Sequence, residues 1–502
     1  MPEANVLGGV RERRNAQKSQ REQKFFNHGA RVYSRHCVTD IYKFTARELL
    51  SAYSEKELSP VAVVRHFFTR IDAWEPRINA MYRIDRDGAL EQARASEKRW
   101  HAGKPLSVLD GVPVTIKDNI HTRGDPSPIG TRANENAPPQ PSDAPPAARV
   151  REAGGVILGK TTMPDYGMLS SGLSSLHGIT RNPWRLDRNT SGSSSGAAAA
   201  AVARYAPLHI GTDIGGSVRL PATHCGIFAL KPSLGRVPVH PPYMGRVAGP
   251  MTRTVADACL LMEVLTRADA RDFMSLPAQD LDFSSVKPIA PKSLRIGFLP
   301  DMGVGLAVHP EVRAAAESAA TALAGAGCTV ESIRSFLTEE MFDGVCRFFE
   351  ARSYNEYMHL PKAKQERVLP FIVDWCTWRA ARFSGRDVMQ AYTGIVSMRE
   401  AAAAATQPYD FLLSPTSPIL PYEAELPAPG SDPHNALPHI AFTVPYNMSE
   451  QPAVSINWSY SSEGLPIGIQ LIGRRFDDIG VLSLAALVEA LRPPQRDWPQ
   501  PR

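Results

Sequence analysis

The 502-residue chain has no run of some 18 consecutive apolar residues, so no segment reads as a membrane-spanning helix. Cysteine is scarce: six residues, at 37, 225, 259, 328, 346 and 376, with no Cys-x-x-Cys pair. That spacing excludes the usual zinc patterns and is too sparse for a disulfide scaffold; it points to a reducing, cytoplasmic setting with mostly buried thiols. The opening MPEANVLGGVRERRNAQKSQREQ lacks the apolar core of a secretory signal, and Glu3, Glu12 and Glu22 argue against an organelle presequence. A charge excess is also missing from the body. Net charge is +5, and eight Lys or Arg against three acids in residues 1–36 account for all of it, leaving 48 of each sign elsewhere. A neutral body carries no electrostatic footprint for nucleic acid. Residues 1–42 are read as a basic, disordered tail.

What is present is a large globular body. Hydrophobic residues make up 43%, enough to build a sizeable core. Thr45 and Glu48 form a capping-box pattern ahead of ARELLSAY. Ser59-Pro60 supplies an N-cap and a first-turn proline for VAVVRHFFTRIDAW, and a third helix follows Asp87. VPVTI (112–116) reads as a buried strand with Lys117 at its exit. Residues 124–148, rich in Pro, Ser and Asn, read as a long loop; a helix (148–154) and the strand VIL (156–158) follow. AAAAAVARY predicts a helix and PLHIGTD (207–213) a strand. Later strands are predicted at 293–300, 409–415, 452–459 and 466–473. Strands alternating with helices predict an α/β fold: one large domain over 43–495, a mixed twisted sheet covered by helices on both faces, with a catalytic core over about 105–265. Residues 340–405 are helical in composition and dense in aromatics. They are either a helical layer packing on the sheet or the wall of an apolar substrate pocket.

Three motifs compete for the chemistry. Gly154 to Thr161 fits the phosphate-loop pattern G-x-x-x-x-G-K-[ST], but its interior Val-Ile-Leu wants to be a strand, and Pro164 interrupts any helix beyond it. Gly192-Ser-Ser194-Ser-Gly196 fits the nucleophile elbow of a Ser-His-Asp hydrolase, but polar RNPWRLDRNT stands where that turn needs a hydrophobic strand. Ser284-x-x-Lys287 lies in a linker-like stretch without supporting motifs. A further reading joins Lys117 in PVTIKDN, the serine run in TSGSSSGAAAA, and Gly211-Thr-Asp-Ile-Gly-Gly-Ser217-Val-Arg-Leu-Pro221.

Those segments resemble the amidase signature family. So do HCGIFALKPSLGRV (224–237), GPMTRTVADACLLMEVL (249–265), Pro164–Gly167 and NMSEQPAV…GLPIGIQLIG (447–473), so that the likeness runs from about 43 to 490. The resemblance implies an amidase that hydrolyses a carboxylic amide, with Ser217 as nucleophile, Ser193 as a proton relay bearing a cis peptide bond, and Lys117 as base. It implies an oxyanion hole from the amides of Ile214, Gly215, Gly216 and Ser217, and no organic cofactor or metal. Lys117 must be neutral to act, which burial favours and a nearby Asp110 or Asp118 would oppose. Ser194 and Ser195 are expected to hold the turn by hydrogen bonding, Thr212 and Asp213 to brace the loop, and Arg219 to tie it to the scaffold. Met168 and Ser170 are expected to border the acyl pocket. Ser191, Ser195 and Glu450 depart from the family pattern, where glycine is frequent. The expected partner is a small-molecule amide, lipophilic, aryl or a carbamate; neither nucleic acid nor membrane is expected, and a homodimer is left open. The alternative within the family is the amidotransferase component of a glutamyl-tRNA transamidation complex.

Overall fold

The computed structural model describes residues 40–501. The basic stretch up to residue 39 lies outside the described residues, whereas Ile41, assigned to the tail by sequence, is buried against the core.

Eleven strands form one sheet: β1 (Met81–Ile84), β2 (Pro113–Lys117), β3 (Val156–Thr161), β4 (Leu208–Asp213), β5 (Phe228–Lys231), β6 (Val247–Thr252), β7 (Arg295–Phe298), β8 (Thr329–Ser332), β9 (Phe411–Pro415), β10 (Ala453–Tyr460) and β11 (Pro466–Ile472). Their order is β1-β3-β2-β4-β6-β5-β10-β11-β9-β7-β8. The sheet is mixed: β3, β2 and β4 run parallel, as do β9, β7 and β8, and antiparallel pairs join the two groups. Helices are α1 (Ala46–Ser54), α2 (Pro60–Ile78), α3 (Arg86–His101), α4 (Pro145–Glu152), α5 (Ser195–Ala203), α6 (Arg219–Cys225), α7 (Val255–Leu265), α8 (Pro310–Ala326), α9 (Glu339–Met358), α10 (Lys362–Gln365), α11 (Pro370–Thr377), α12 (Gly385–Thr406), α13 (Val444–Met448) and α14 (Asp478–Leu491).

The helix starts follow their sequence signals. Thr45 and Glu48 close a reciprocal capping box on α1, and the Ser59 side chain accepts from the Ala62 amide with Pro60 at the first helical position. Alternation along β5 shows both faces covered: Phe228 and Leu230 join one core cluster, while Ala229 between them joins another. The first cluster gathers α1, α2, α7 and α14. The second is built from the small residues of α5 and α6. All nine residues of α5 are buried, as an alanine-rich helix with no polar face requires. Its lack of bulk lets the chain pass close: a Cβ on Gly196 would lie 2.2 Å from the Ala80 carbonyl oxygen.

Four strands of this sheet were not anticipated. β1, β5 and β8 have only four residues each, too short for a period to register. β6 carries Gly249-Pro250, which argues against a strand; the ladder to β5 covers only Met251 and Thr252, so the proline lies past its end. Among the described residues no helix is long and apolar enough to cross a membrane.

Candidate active site

Lys117 is the last residue of β2, in register with Thr161 of β3, and its side chain is fully buried. Ser193 and Ser194 stand in the turn that enters α5, where the Gly192–Ser193 peptide bond is cis. Ser217 lies in the turn between β4 and α6. The Ser194 amide donates to the Ser217 carbonyl at 3.1 Å and so fastens the two serine turns side by side. Lys117 Nζ is 2.8 Å from Ser193 Oγ, 2.9 Å from Ser194 Oγ and 3.0 Å from Thr212 Oγ1.

The Ser194 hydroxyl donates to the Thr212 carbonyl (3.2 Å), so its oxygen is an acceptor towards Lys117. Thr212 Oγ1 accepts from Asn119 Nδ2 at 3.1 Å and lies 3.3 Å from Asn119 Oδ1. A neutral amine offers two N–H groups and one lone pair, and the nearest hydroxyl able to meet that lone pair is that of Ser193, at 2.8 Å. Electrostatics favour the same state. Burial drives the Lys117 pKa well below the ordinary lysine value, and the Arg246 guanidinium adds to the effect; Asp213 and Asp118 oppose it. Asp110 is occupied elsewhere, paired through both oxygens with Arg99 at 2.7 and 2.6 Å. Asp118 accepts the amides of Ile129 (3.1 Å) and Gly130 (2.8 Å).

The glycine turn is braced from beneath. Asp213 accepts the amides of Gly216 (2.8 Å) and Val218 (3.1 Å), the Asn447 side-chain amide (2.8 Å) and a two-point contact from Arg219 (3.1 and 3.0 Å). Although burial pushes its carboxyl up, the Arg219 charge and these donors hold it well below the usual carboxylate range. Arg219, wholly buried, reaches on to the Thr443 carbonyl and Gln470. Gly216 has φ +130°, and a Cβ there would meet Thr443 Oγ1 at 2.5 Å, so this position requires glycine. Of the four amides named for the oxyanion hole, that of Gly216 is committed to Asp213. Among the described residues, those of Ile214, Gly215 and Ser217 meet no acceptor.

One cavity of about 720 Å³ is lined by Ser193, Thr212, Ile214, Gly215 and Ser217 together with Met168, Leu169 and Ser170. The Ser170 carbonyl accepts the Tyr422 hydroxyl. The far wall comes from α9 and α11: Phe349, Arg352, Ser353, Asn355, Glu356 and Trp375. Thus part of the aromatic stretch faces the cavity, while Trp378, which stacks on His434, lies outside its lining.

Other expectations are corrected. Ser195 Oγ is buried without a hydrogen-bond partner, so it does not hold the turn as expected. Gly154–Thr161 is a turn running into β3, and Lys160 is buried with Nζ donating to the Ile120 carbonyl, so the phosphate-loop geometry is absent. Ser284 bonds Asp282 in a short 3₁₀ turn away from the cavity lining. The departures from glycine have a cost in backbone geometry: Ser191 has φ +60° and Glu450 φ +67°. Glu450 is held there by Arg399 at 2.5 Å and by Arg475. Asn119, Tyr243, Arg246 and Arg352 also line the cavity and were not anticipated. Asn119, two residues past Lys117 on a strand exit, was the one within reach of a sequence argument. Among the described residues no group of three His, Cys, Asp or Glu side chains is arranged to hold a metal ion.

Two serine turns line one cavity with a lysine buried behind them, and among the proteins this chain resembles are hydrolases of carbon–nitrogen bonds. Residues 62–482 match the family model described as Amidase, and the chain belongs to that family, with the amidase signature fold. It is 33% identical over 483 residues to the amidotransferase component of the glutamyl-tRNA(Gln) system of Myxococcus xanthus, covering 90% of this chain and 97% of that protein. It is 31% identical over 467 residues to an acylamidase of Rhodococcus erythropolis, covering 90% and 96%. Among solved structures it is similar to a bacterial aryl acylamidase (TM-score 0.82, 28% identity, 89% of this chain and 96% of that one). It is also similar to a 6-aminohexanoate cyclic dimer hydrolase (TM-score 0.81, 28% identity, 92% and 99%).

Proposed function

We propose that the protein is a stand-alone amidase that cleaves a lipophilic or aryl carboxylic amide through an acyl-enzyme on Ser217. The carrying observation is the fully buried Lys117 amine, held by three hydroxyls and no carboxylate, 2.8 Å from Ser193, which lines the same cavity as Ser217. Ser217 Oγ attacks the amide carbon while its proton passes to Ser193 and that of Ser193 to the Lys117 lone pair. The developing oxyanion is received by the amides of Ile214, Gly215 and Ser217, with Asp213 fixing the loop through Gly216. The relay then runs backwards: Lys117 and Ser193 return the proton to the departing nitrogen, the C–N bond breaks, and the amine leaves. Water cleaves the acyl ester by the same steps and restores Ser217. Met168 and Ser170 flank the acyl group. Phe349 and Trp375 in the cavity wall support an apolar substrate, in line with the acylamidases among the relatives.

The second reading, the amidotransferase component of a glutamyl-tRNA transamidation complex, is favoured by the 33% identity to such a protein. Against it stands the charge-neutral body. Purified protein alone, given aliphatic, aryl and carbamate amides and assayed for released amine, separates the two. Turnover without partner chains is expected; Ser217→Ala and Lys117→Ala should each lower it by about 10³-fold or more, as losing a member of a concerted unit does. Near-normal rates in either variant would contradict the mechanism, and activity that arises only with co-purifying chains would favour the transamidation complex.

A further inference from the structure

The cavity wall holds four formal charges: Asp213 is matched by Arg219 beneath the glycine turn, and Arg352 and Glu356 cancel each other. Arg352 Nε donates to Glu356 at 2.9 Å, and its guanidinium lies 4.1 Å from the centre of the Tyr243 ring. Arg246 is different. Its one side-chain hydrogen bond goes to the Pro241 carbonyl at 3.3 Å, and among the described residues no carboxylate lies within ion-pair distance of it. Its place is fixed by the sheet. Arg246 immediately precedes β6, whose first residue Val247 pairs with Asp213, the last residue of β4; the next residue along that strand exit is Ile214, the first member of the glycine turn. Arg246 therefore opens onto the cavity beside the loop that carries Ser217. The guanidinium is partly exposed on the cavity wall, with four of its five N–H groups free to meet an anionic group on a ligand.

We propose that Arg246 is a specificity-determining residue that binds a carboxylate on the substrate, so that the amide this enzyme takes is an acid: an apolar or aryl amide that also carries a carboxylate. The inference rests on the amidase reading and narrows its substrate class. A planar carboxylate matches the guanidinium fork at two points, whereas a neutral ester of the same skeleton offers only weak acceptors and leaves the cation unmatched. Burial presses the Arg246 guanidinium down to about 10, with Arg352 adding to the effect and Glu356 opposing it.

The test compares glutaric acid mono-p-nitroanilide with its methyl ester, following released p-nitroaniline. The wild type should prefer the acid in kcat/KM by about tenfold to a hundredfold, the range of a charge-assisted contact. The preference should reside mainly in KM. Arg246→Gln should collapse the acid-to-ester ratio towards one, and Arg246→Lys should keep part of it. A wild type that prefers the ester, or a ratio unchanged in Arg246→Gln, overturns the proposal while leaving the amidase reading intact. If neither anilide is turned over but a fluorophosphonate still labels Ser217, glutarate decides. Protection of Ser217 that is lost in Arg246→Gln supports the carboxylate site, and absence of protection overturns it. Should Arg246→Gln fail to fold, the wild-type ratio and Arg246→Lys decide the same question. Failure of the fluorophosphonate to label Ser217 at all sinks the amidase reading first and this inference with it.

Discussion

A lysine serves as a base only while it lacks a proton, so the charges around Lys117 should be visible in the pH dependence of the rate. Burial lowers its pKa most; Arg246 lowers it further, and Asp213 and Asp118 raise it. Below the lowered value the amine is protonated, and kcat/KM should fall as pH falls through it. Replacing Arg246 by Gln removes a repelling cation, so the Lys117 pKa rises and the acidic limb of the kcat/KM profile moves to higher pH. Profiles of both enzymes with the neutral ester anilide check this; a limb that stays in place would separate Arg246 from the base. None of this was legible at residue 246, where an arginine before VAGP looks like any surface cation. Lys117, Ser193 and Ser217 stand out in the sequence only because several spaced segments together resemble one family. The hydroxyls that meet the Lys117 amine lie 76 to 95 positions from it in the chain and carry no local signal.

At the scale of elements, the cavity's outer wall depends on how closely α9 and α12 approach. Gly344 on α9 and Gly394 on α12 face each other, and a Cβ on Gly344 would lie 3.1 Å from both the Gly394 Cα and the Ala391 carbonyl oxygen. Two glycines at one crossing let two backbones meet where side chains would hold them apart. Gly344→Leu should force the helices apart, at about 1–3 kcal/mol of stability. Because Phe349, Arg352 and Glu356 sit on the same helix one to three turns on, KM for an aryl amide should rise several-fold while labelling of Ser217 changes little. Thermal unfolding together with KM reads both effects; an unchanged melting point would show that the crossing is looser than its geometry. Capping signals placed α1 and α2 well because a cap is a local device. β1, β5 and β8, and β6 with its Gly-Pro, were invisible because their pairing depends on partners far along the chain.

For the molecule as a whole, the buried titratable groups set how stability responds to acid. Burial holds the His439 imidazole at about 3, with neighbouring His224 adding to the effect, against an ordinary value near 6.5. Between those values unfolding takes up a proton that the folded chain refuses. The stability tied to neutral His439 is therefore complete above about pH 6.5 and is lost as pH falls towards 3. Burial pushes the Asp257 and Glu75 carboxyls the other way, to about 6, so their contributions grow as pH falls through that region and mask the histidine in the wild-type profile. A variant exposes it. His439 has both ring nitrogens buried without a hydrogen-bond partner, so His439→Leu removes the proton-linked cost without orphaning a neighbour. Relative to the wild type, His439→Leu should become more stable by about 2 kcal/mol on going from pH 7.5 to pH 5, following 1.36 kcal/mol for each unit between 6.5 and 5. Urea midpoints of the two proteins at both pH values measure the difference. A gap between them that does not change with pH would mean that His439 takes its proton in the folded state, and that the pocket behind Ile440 is open to water.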